Sequence, residues 1–275
     1  GEDKSAEWGT AFAQQGYAVI HVGHAALTAT QIRAFCDRAD IPEAECVPSG
    51  EEDDDTNGLV ALGRSFDLIA VLDDLERLSE LSVDNDGPAL DLTKVAVAGW
   101  SGGSRGPMML MGARLKPTVS APVFTNPHAL PVAALYMSPA GPGFGGWFED
   151  GSDTSDHSWT TMRGPTFSAT GLHDQNPNKP ELTGEVRRRH FDLLDPDGER
   201  WLLYSNLPVG VGGHGTYDLA DWQSGNARLS RLSAALASAA LAFLDAHLRN
   251  DADAADWLAS DNARVLAGDA DYLHR

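Results

Sequence analysis

Short apolar runs alternate along this chain with stretches in which apolar residues recur at helical spacing. The runs predict buried strands at Tyr17–Val22, Lys94–Ala98, Val132–Met137, Pro165–Thr170 and Arg200–Tyr204, with Arg200–Tyr204 the last strand of the chain. The amphipathic stretches predict helices over Ser5–Gln15, Gln31–Arg38, Leu59–Leu81, Pro107–Leu115, Val186–Leu194 and Leu229–Leu248, with a helical remainder. This alternation predicts an α/β fold: a mostly parallel sheet covered by helices on both faces.

No clear linker interrupts the alternation, so we expect one domain over residues 1–275. Within it, we expect a loop-rich insertion at residues 25–58 and a loop beside a cleft at residues 139–164. No run of about 18 apolar residues occurs, so the sequence predicts no membrane span.

The strand at Lys94–Ala98 leads into Gly99-Trp100-Ser101-Gly102-Gly103, a G-x-S-x-G pattern, and a predicted helix follows. Strand, tight turn and helix in this order are typical of a nucleophile elbow, which exposes a serine hydroxyl at the edge of a sheet. An ordinary turn between a strand and a helix also contains such residues. In the elbow interpretation, Ser101 is the nucleophile and the backbone N–H of Gly102 donates to a developing oxyanion.

A serine hydroxyl is a weak nucleophile at neutral pH and needs a base, which in turn needs an anion to hold its tautomer. Asp174 and His214 follow the strands at Pro165–Thr170 and Arg200–Tyr204. Reactive groups of parallel sheets gather at the carboxyl ends of strands. We therefore predict His214 as the base and Asp174 as the orienting carboxylate. The alternative for His214 is a histidine that caps backbone groups in a glycine-rich loop.

Aromatic residues cluster in the predicted loop beside the cleft. Phe144 and Trp147 are candidates for an apolar substrate pocket, together with Trp100 next to the nucleophile. A loop that packs its aromatic residues on itself would carry the same residues. The sequence leaves both interpretations open.

Acidic residues outnumber basic ones by 40 to 20, for a net charge of −20. A surface of this charge repels nucleic acid and anionic membranes, so neither is an expected partner. Salt screens the repulsion between like charges, and we therefore expect a salt-tolerant protein whose activity and melting temperature survive rising ionic strength. A salt titration tests this, and loss of both quantities as salt rises from zero would contradict it.

The two cysteines, Cys36 and Cys46, lie close together in the insertion. A disulfide between them would indicate an oxidising compartment, extracellular or periplasmic, whereas two free thiols would suit the cytoplasm. The acidic run at 51–58 begins like a calcium loop, but Arg64 stands where the twelfth position needs a bidentate Glu. We interpret the run as a solvated loop and predict no metal site.

With these residues in view, the chain resembles the α/β-hydrolase superfamily, and in particular predicted dienelactone hydrolases and esterases similar to platelet-activating-factor acetylhydrolase. The resemblance rests on Gly16–His24, Arg64–Leu78, the elbow, Ser138–Gly143, Thr170–Asp174 and Gly213-His214. It implies a triad of Ser101, Asp174 and His214, hydrolysis of carboxylic esters and no cofactor. In that family the first strands and a second oxyanion donor precede the first helix. We therefore expect that donor upstream of Gly1; a donor on another chain and a real truncation are the alternatives.

The substrate class stays open within this resemblance. Polyester-cleaving hydrolases of the cutinase type look similar at this level, and so do lipases, phospholipid-acetyl hydrolases and lactonases, because the same triad serves all of them. The expected partner is a small-molecule or polymeric ester. A catalytically dead hydrolase scaffold that only binds ligands is the alternative from another class. The oligomeric state is not predictable from these features.

Overall fold

A computed structural model describes residues 5–24, 29–42, 45, 58–149, 156–175, 180–195, 197–219 and 224–275. Its main feature is a five-stranded sheet. The strands of this sheet, in spatial order, are β1 (Val95–Trp100), β4 (Pro131–Met137), β5 (Thr166–Gly171), β6 (Arg200–Ser205) and β7 (Ala270–His274). Two short strands, β2 (Arg114–Leu115) and β3 (Phe124–Thr125), form a separate pair. The first four strands of the sheet are parallel and β7 is antiparallel to β6.

Helices cover this sheet. They are α1 (Ala6–Gln14), α2 (Ala29–Ala39), α3 (Gly58–Asp73), α4 (Leu75–Asp84), α5 (Arg105–Leu110), α6 (Gly184–Leu193), α7 (Ala227–Arg249), α8 (Ala252–Ala259) and α9 (Asn262–Ala267). The predicted α/β class, with a mostly parallel sheet between helices, is confirmed.

Strand β4 shows how the sheet divides the core into two layers. Successive side chains of a strand point to opposite faces. Ala133, Leu135 and Met137 join the buried cluster that contains Phe243 and other apolar residues of α7. Ala134 and Tyr136 join the cluster on the opposite side, which also holds Leu62 of α3 and Met108 of α5. Both faces of β4 are therefore buried, which explains its almost continuous apolar sequence.

The strand predicted at Tyr17–Val22 is wrong. Residues 17–24 form no strand in the structure, and Val19 and Ile20 are 37% and 45% exposed. The Tyr17 hydroxyl instead donates to Asp245 of α7 at 2.7 Å. A run of β-branched residues becomes a strand only where a neighbouring strand accepts its backbone hydrogen bonds, and none pairs with it among the residues described.

Three other boundaries also differ from prediction. The helix predicted over Leu59–Leu81 is two helices with a break at Asp74, and its residue Phe66 is 52% exposed. Helix α5 ends at Leu110, before Gly112 with its positive φ of 100°. The chain does not finish as helix, because Ala270–His274 adds the edge strand β7.

Helix α7 is the one described segment that is long and apolar enough, by length and composition, to cross a membrane. Of its most apolar 18-residue window, 56% is buried inside the protein. Its apolar side packs against the sheet through residues such as Leu236 and Phe243. Packing against the sheet accounts for its composition, in keeping with the prediction that the chain has no membrane span.

Candidate active site

The turn after β1 holds Ser101 in the left-handed region, at a φ of 52°. A non-glycine residue adopts this conformation only at a cost in energy, and such residues are frequent at functional sites. A short 3₁₀ turn, Ser101–Ser104, then leads into α5. A Cβ on Gly99 would lie 2.3 Å from the carbonyl oxygen of Gly103. Glycine at position 99 thus permits the tight turn that sets Ser101 at the carboxyl edge of the sheet.

The imidazole of His214 lies against the Ser101 hydroxyl. His214 begins the short turn that follows β6, and its Nε2 is 2.7 Å from Oγ of Ser101. The indole N–H of Trp100 donates to the backbone carbonyl of His214 at 3.2 Å, and the two rings stack with centroids 4.8 Å apart. The residue before Ser101 therefore fixes the position of the histidine that contacts Ser101.

Asp174 contacts the other nitrogen of the same ring. Its Oδ1 lies 2.9 Å from Nδ1 of His214. The second carboxylate oxygen accepts a hydrogen bond from Thr170 at 2.8 Å, and the backbone N–H of Asp174 donates to the carbonyl of Gly171 at 2.9 Å. The carboxylate is completely buried. A buried carboxylate on one ring nitrogen holds the proton there, which leaves Nε2 free to accept from Ser101.

A buried arginine, Arg187 of α6, forms an ion pair with this carboxylate. Its Nε lies 3.3 Å from both Oδ1 and the backbone carbonyl oxygen of Asp174. Its Nη1 donates to the carbonyl of Ser138 at 2.9 Å. The side chain of Arg187 is only 1% exposed. A buried charge needs an opposite charge and hydrogen bonds, and the Arg187–Asp174 pair supplies both while joining the ends of β4 and β5.

Ser138 is a further polar residue at this edge. It follows β4 directly, is completely buried and has a φ of 50°. Its Oγ lies 2.7 Å from Nδ1 of His214, the nitrogen that also faces Asp174. The four parallel strands in their spatial order, β1, β4, β5 and β6, are therefore followed by Ser101, Ser138, Asp174 and His214.

Two tyrosines near the carboxylate stay neutral. Burial raises the pKa of Tyr217 well above its usual value, and the charge of Asp174 raises it further. Burial also raises the pKa of Tyr204, with a smaller contribution from Glu185. The Tyr217 hydroxyl is 2.6 Å from Oγ of Ser205. Neither tyrosine adds a second negative charge beside Asp174.

Of the residues predicted to line a pocket, Trp100 and Phe144 are half-buried, and Trp147 is 2% exposed. Trp147 packs against Trp159 with ring centroids 5.8 Å apart. Its burial favours a packing role within the loop over contact with a substrate. Gly102 is buried in the 3₁₀ turn directly after Ser101, and its role as oxyanion donor stays a prediction.

The predicted disulfide falls partly outside the described chain. Cys36 lies buried in α2 and is disulfide-bonded. Cys46 lies outside the described residues, as does the acidic run at 51–57. The pairing of Cys36 with Cys46 and the nature of the acidic run therefore stay predictions.

Several of the remaining histidines have other partners. His24 and His128 contact Asp67 and Asp73 of α3 at 2.9 Å and 3.1 Å. Burial lowers the pKa of His190 to about 4, so that its ring is neutral at pH 7. No group of three or more His, Cys, Asp or Glu side chains suited to a metal ion occurs in the described ranges.

The structure brings the three predicted residues, Ser101, Asp174 and His214, into contact. Ser138 and Arg187 were not predicted. The strand-end rule that identified Asp174 applies equally to Ser138, which follows a predicted strand. No sequence signal separates Arg187 from Arg188 and Arg189 beside it.

Chemically, the arrangement can move a proton from the Ser101 hydroxyl to Nε2 of His214 while Asp174 stabilises the resulting imidazolium. A comparison of the sequence with protein families and with curated proteins finds no match.

Proposed function

We propose that the chain is a serine carboxylic-ester hydrolase that acts through an acyl-enzyme. The observation that carries the proposal is one continuous series of contacts, from Ser101 Oγ to His214 Nε2 at 2.7 Å and from His214 Nδ1 to Asp174 Oδ1 at 2.9 Å. A nucleophile, a base and an orienting anion in hydrogen-bond reach of each other form the minimum set for acyl transfer. The left-handed backbone of Ser101 supports the same assignment.

We further propose that the chain has the α/β-hydrolase fold. Three features support this more specific fold: the parallel order of β1, β4, β5 and β6, the turn that carries Ser101 after β1, and the chain order Ser101, Asp174, His214. The resemblance noted in the sequence points to the same fold and to esters as substrates.

Acylation begins when Ser101 attacks the ester carbonyl carbon. Its proton passes to Nε2 of His214, and the carbonyl oxygen gains the negative charge. The backbone N–H of Gly102 is the proposed donor to that oxygen. The imidazolium then gives the proton to the leaving alkoxide as the bond between carbonyl carbon and alcohol oxygen breaks, which leaves the acyl group on Ser101.

Deacylation repeats these steps with water as the nucleophile. His214 accepts a proton from the water molecule while the water oxygen attacks the acyl carbon. The proton then returns to Ser101 Oγ as the acyl–oxygen bond breaks, and the carboxylic acid leaves. Asp174 keeps its charge throughout and stabilises the imidazolium in both halves of the cycle.

Covalent labelling combined with ester turnover tests the proposal. We expect a fluorophosphonate probe to label the folded protein once, on Ser101, and to abolish turnover of p-nitrophenyl acetate and butyrate in the same proportion. Peptide mapping provides an internal control: Ser104 is three residues away in the same turn, is completely buried and donates to the carbonyl of Gly99 at 2.8 Å. It should remain unlabelled.

Several results would contradict the assignment. Labelling of the Ser101→Ala variant at another serine would place the nucleophile elsewhere. Absence of labelling together with absence of turnover over a panel of acyl and alcohol lengths would favour a dead scaffold that binds ligands. The same panel, extended to lactones and polyester films, distinguishes the ester classes that share this site.

A further inference from the structure

The hydroxyl of Ser138 makes a second contact with the ring nitrogen that Asp174 holds. Ser138 Oγ lies 2.7 Å from Nδ1 of His214, and Asp174 Oδ1 lies 2.9 Å from the same atom. Ser138 and Asp174 are both completely buried at the side chain. Hydrogen bonds in a water-poor interior are stronger than those at the surface.

The chemistry of the nitrogen decides which group donates. Nδ1 carries at most one hydrogen, and a bare Nδ1 facing the Asp174 carboxylate at 2.9 Å would oppose two lone pairs. Nδ1 therefore carries the hydrogen. Both oxygens lie within hydrogen-bond distance of this nitrogen, so Ser138 Oγ acts as a second acceptor of the same hydrogen.

Two hydrogen bonds hold the backbone of Ser138 in place. Its backbone N–H donates to the carbonyl of Ala169 on β5 at 2.6 Å, and its own carbonyl accepts from Arg187 at 2.9 Å. The φ of 50° is unfavourable for a serine, so this backbone geometry persists only because its surroundings impose it. These backbone contacts direct the side chain to Nδ1 of His214.

We propose that Ser138 is a positioning residue for His214. Its hydroxyl is a second acceptor for the Nδ1–H that Asp174 holds, and it orients the ring so that Nε2 faces the Ser101 hydroxyl. This inference rests on the proposed function of the Ser101 site. Ser138 itself neither gains nor loses a proton during the cycle.

Two substitutions distinguish the effect of the Ser138 hydroxyl from the effect of the strained backbone at this position. Ser138→Ala and Ser138→Gly both remove the acceptor, and only glycine also relieves the left-handed φ. We expect both variants to lower kcat for p-nitrophenyl butyrate by about 3- to 10-fold with KM unchanged, the effect of losing one net hydrogen bond. If the glycine variant, which lacks the hydroxyl but has no unfavourable φ, retained wild-type kcat, the loss in the alanine variant would come from backbone strain and the proposal would be overturned.

Ser168→Ala is the matched control. Ser168 is a buried serine on β5 whose hydroxyl contacts a different histidine, with Oγ 2.8 Å from Nε2 of His190. We expect this variant to lose thermal stability, because it removes a buried hydrogen bond, while kcat and KM stay at wild-type values. An equal loss of kcat in Ser168→Ala would mean that any buried hydroxyl has this effect, which would overturn a specific role for Ser138.

The Nδ1–H of His214 provides a readout that needs no turnover. We expect NMR of the imidazole to show the Nδ1–H form in the wild type and in both Ser138 variants, because Asp174 still faces Nδ1, and to show a shifted Nδ1–H proton resonance in the variants, because one of its two acceptors is gone. An unchanged Nδ1–H resonance with unchanged kcat, or a rise in kcat, would refute the role of Ser138 as acceptor. Failure of the proposed function would look different, because wild-type turnover would then be absent or would survive Ser101→Ala, whatever stands at position 138.

Discussion

Ser101→Ala is expected to lower kcat for p-nitrophenyl butyrate by about 10⁶-fold, the effect of removing the nucleophile from a serine hydrolase. The variant cannot form an acyl-enzyme, because no oxygen remains 2.7 Å from Nε2 of His214 to carry the acyl group. KM should change little, because the loss of the nucleophile acts on the chemical step. A residual rate of about 10³-fold over water is expected from binding and oxyanion stabilisation alone.

Stopped assays with highly purified Ser101→Ala protein, in parallel with fluorophosphonate labelling, measure this loss. Far-UV circular dichroism and the melting temperature show whether the variant is folded, and we expect both to match the wild type because the substitution removes a single partly buried hydroxyl. If the folded variant retains a rate within about 100-fold of the wild type, Ser101 is not the nucleophile.

Much of the sheet could be predicted because apolar runs bounded by turn residues are a strong signal for buried strands. Strands β4, β5 and β6 lie within one residue of their predicted positions. The segment Tyr17–Val22 is also a short, mostly apolar run, but it forms no strand. The difference between them is a partner for the backbone hydrogen bonds, and a partner is a property of the tertiary structure that no local pattern contains.

Strand β7 is the opposite case, a strand that the sequence did not predict. Its sequence, Ala270-Asp271-Tyr272-Leu273-His274, follows a helical stretch and carries little β-branched content. It becomes a strand because β6 presents an open edge, and the rings of Trp201 and His274 stack across it with centroids 3.5 Å apart. Cross-strand contacts of this kind stabilise a strand irrespective of its own propensity.

Some residues of the site could be predicted from local sequence, and others depend on the tertiary structure. Ser101, Asp174 and His214 could be selected because each follows a predicted parallel strand and because hydroxyl, carboxylate and imidazole form a known chemical set. Ser138 satisfies the positional rule as well, but a serine before a proline is ordinary in a turn. Arg187 could not be found, because burial of a cation depends on a carboxylate 13 residues earlier that only folding brings within 3.3 Å.

The second large effect is expected for Asp174→Asn, which should lower kcat by about 10⁴-fold. The amide can face His214 in two orientations, and both impair catalysis. With its NH₂ group toward Nδ1, it forces the proton onto Nε2, which then cannot accept from Ser101. With its oxygen toward Nδ1, it preserves the tautomer but lacks the charge that stabilises the imidazolium.

This substitution should also reduce stability, because Arg187 is 1% exposed and its Nε lies 3.3 Å from Oδ1 of Asp174. Removing one charge from a buried ion pair costs about 3 kcal/mol of unfolding free energy. The double variant Asp174→Asn/Arg187→Gln removes both charges, and we expect it to regain part of the melting temperature without regaining kcat. Chemical denaturation and ester turnover of the two variants measure the two effects separately. If kcat recovered together with stability, Asp174 would act only as the partner of Arg187, and the orienting role assigned to its carboxylate would be wrong.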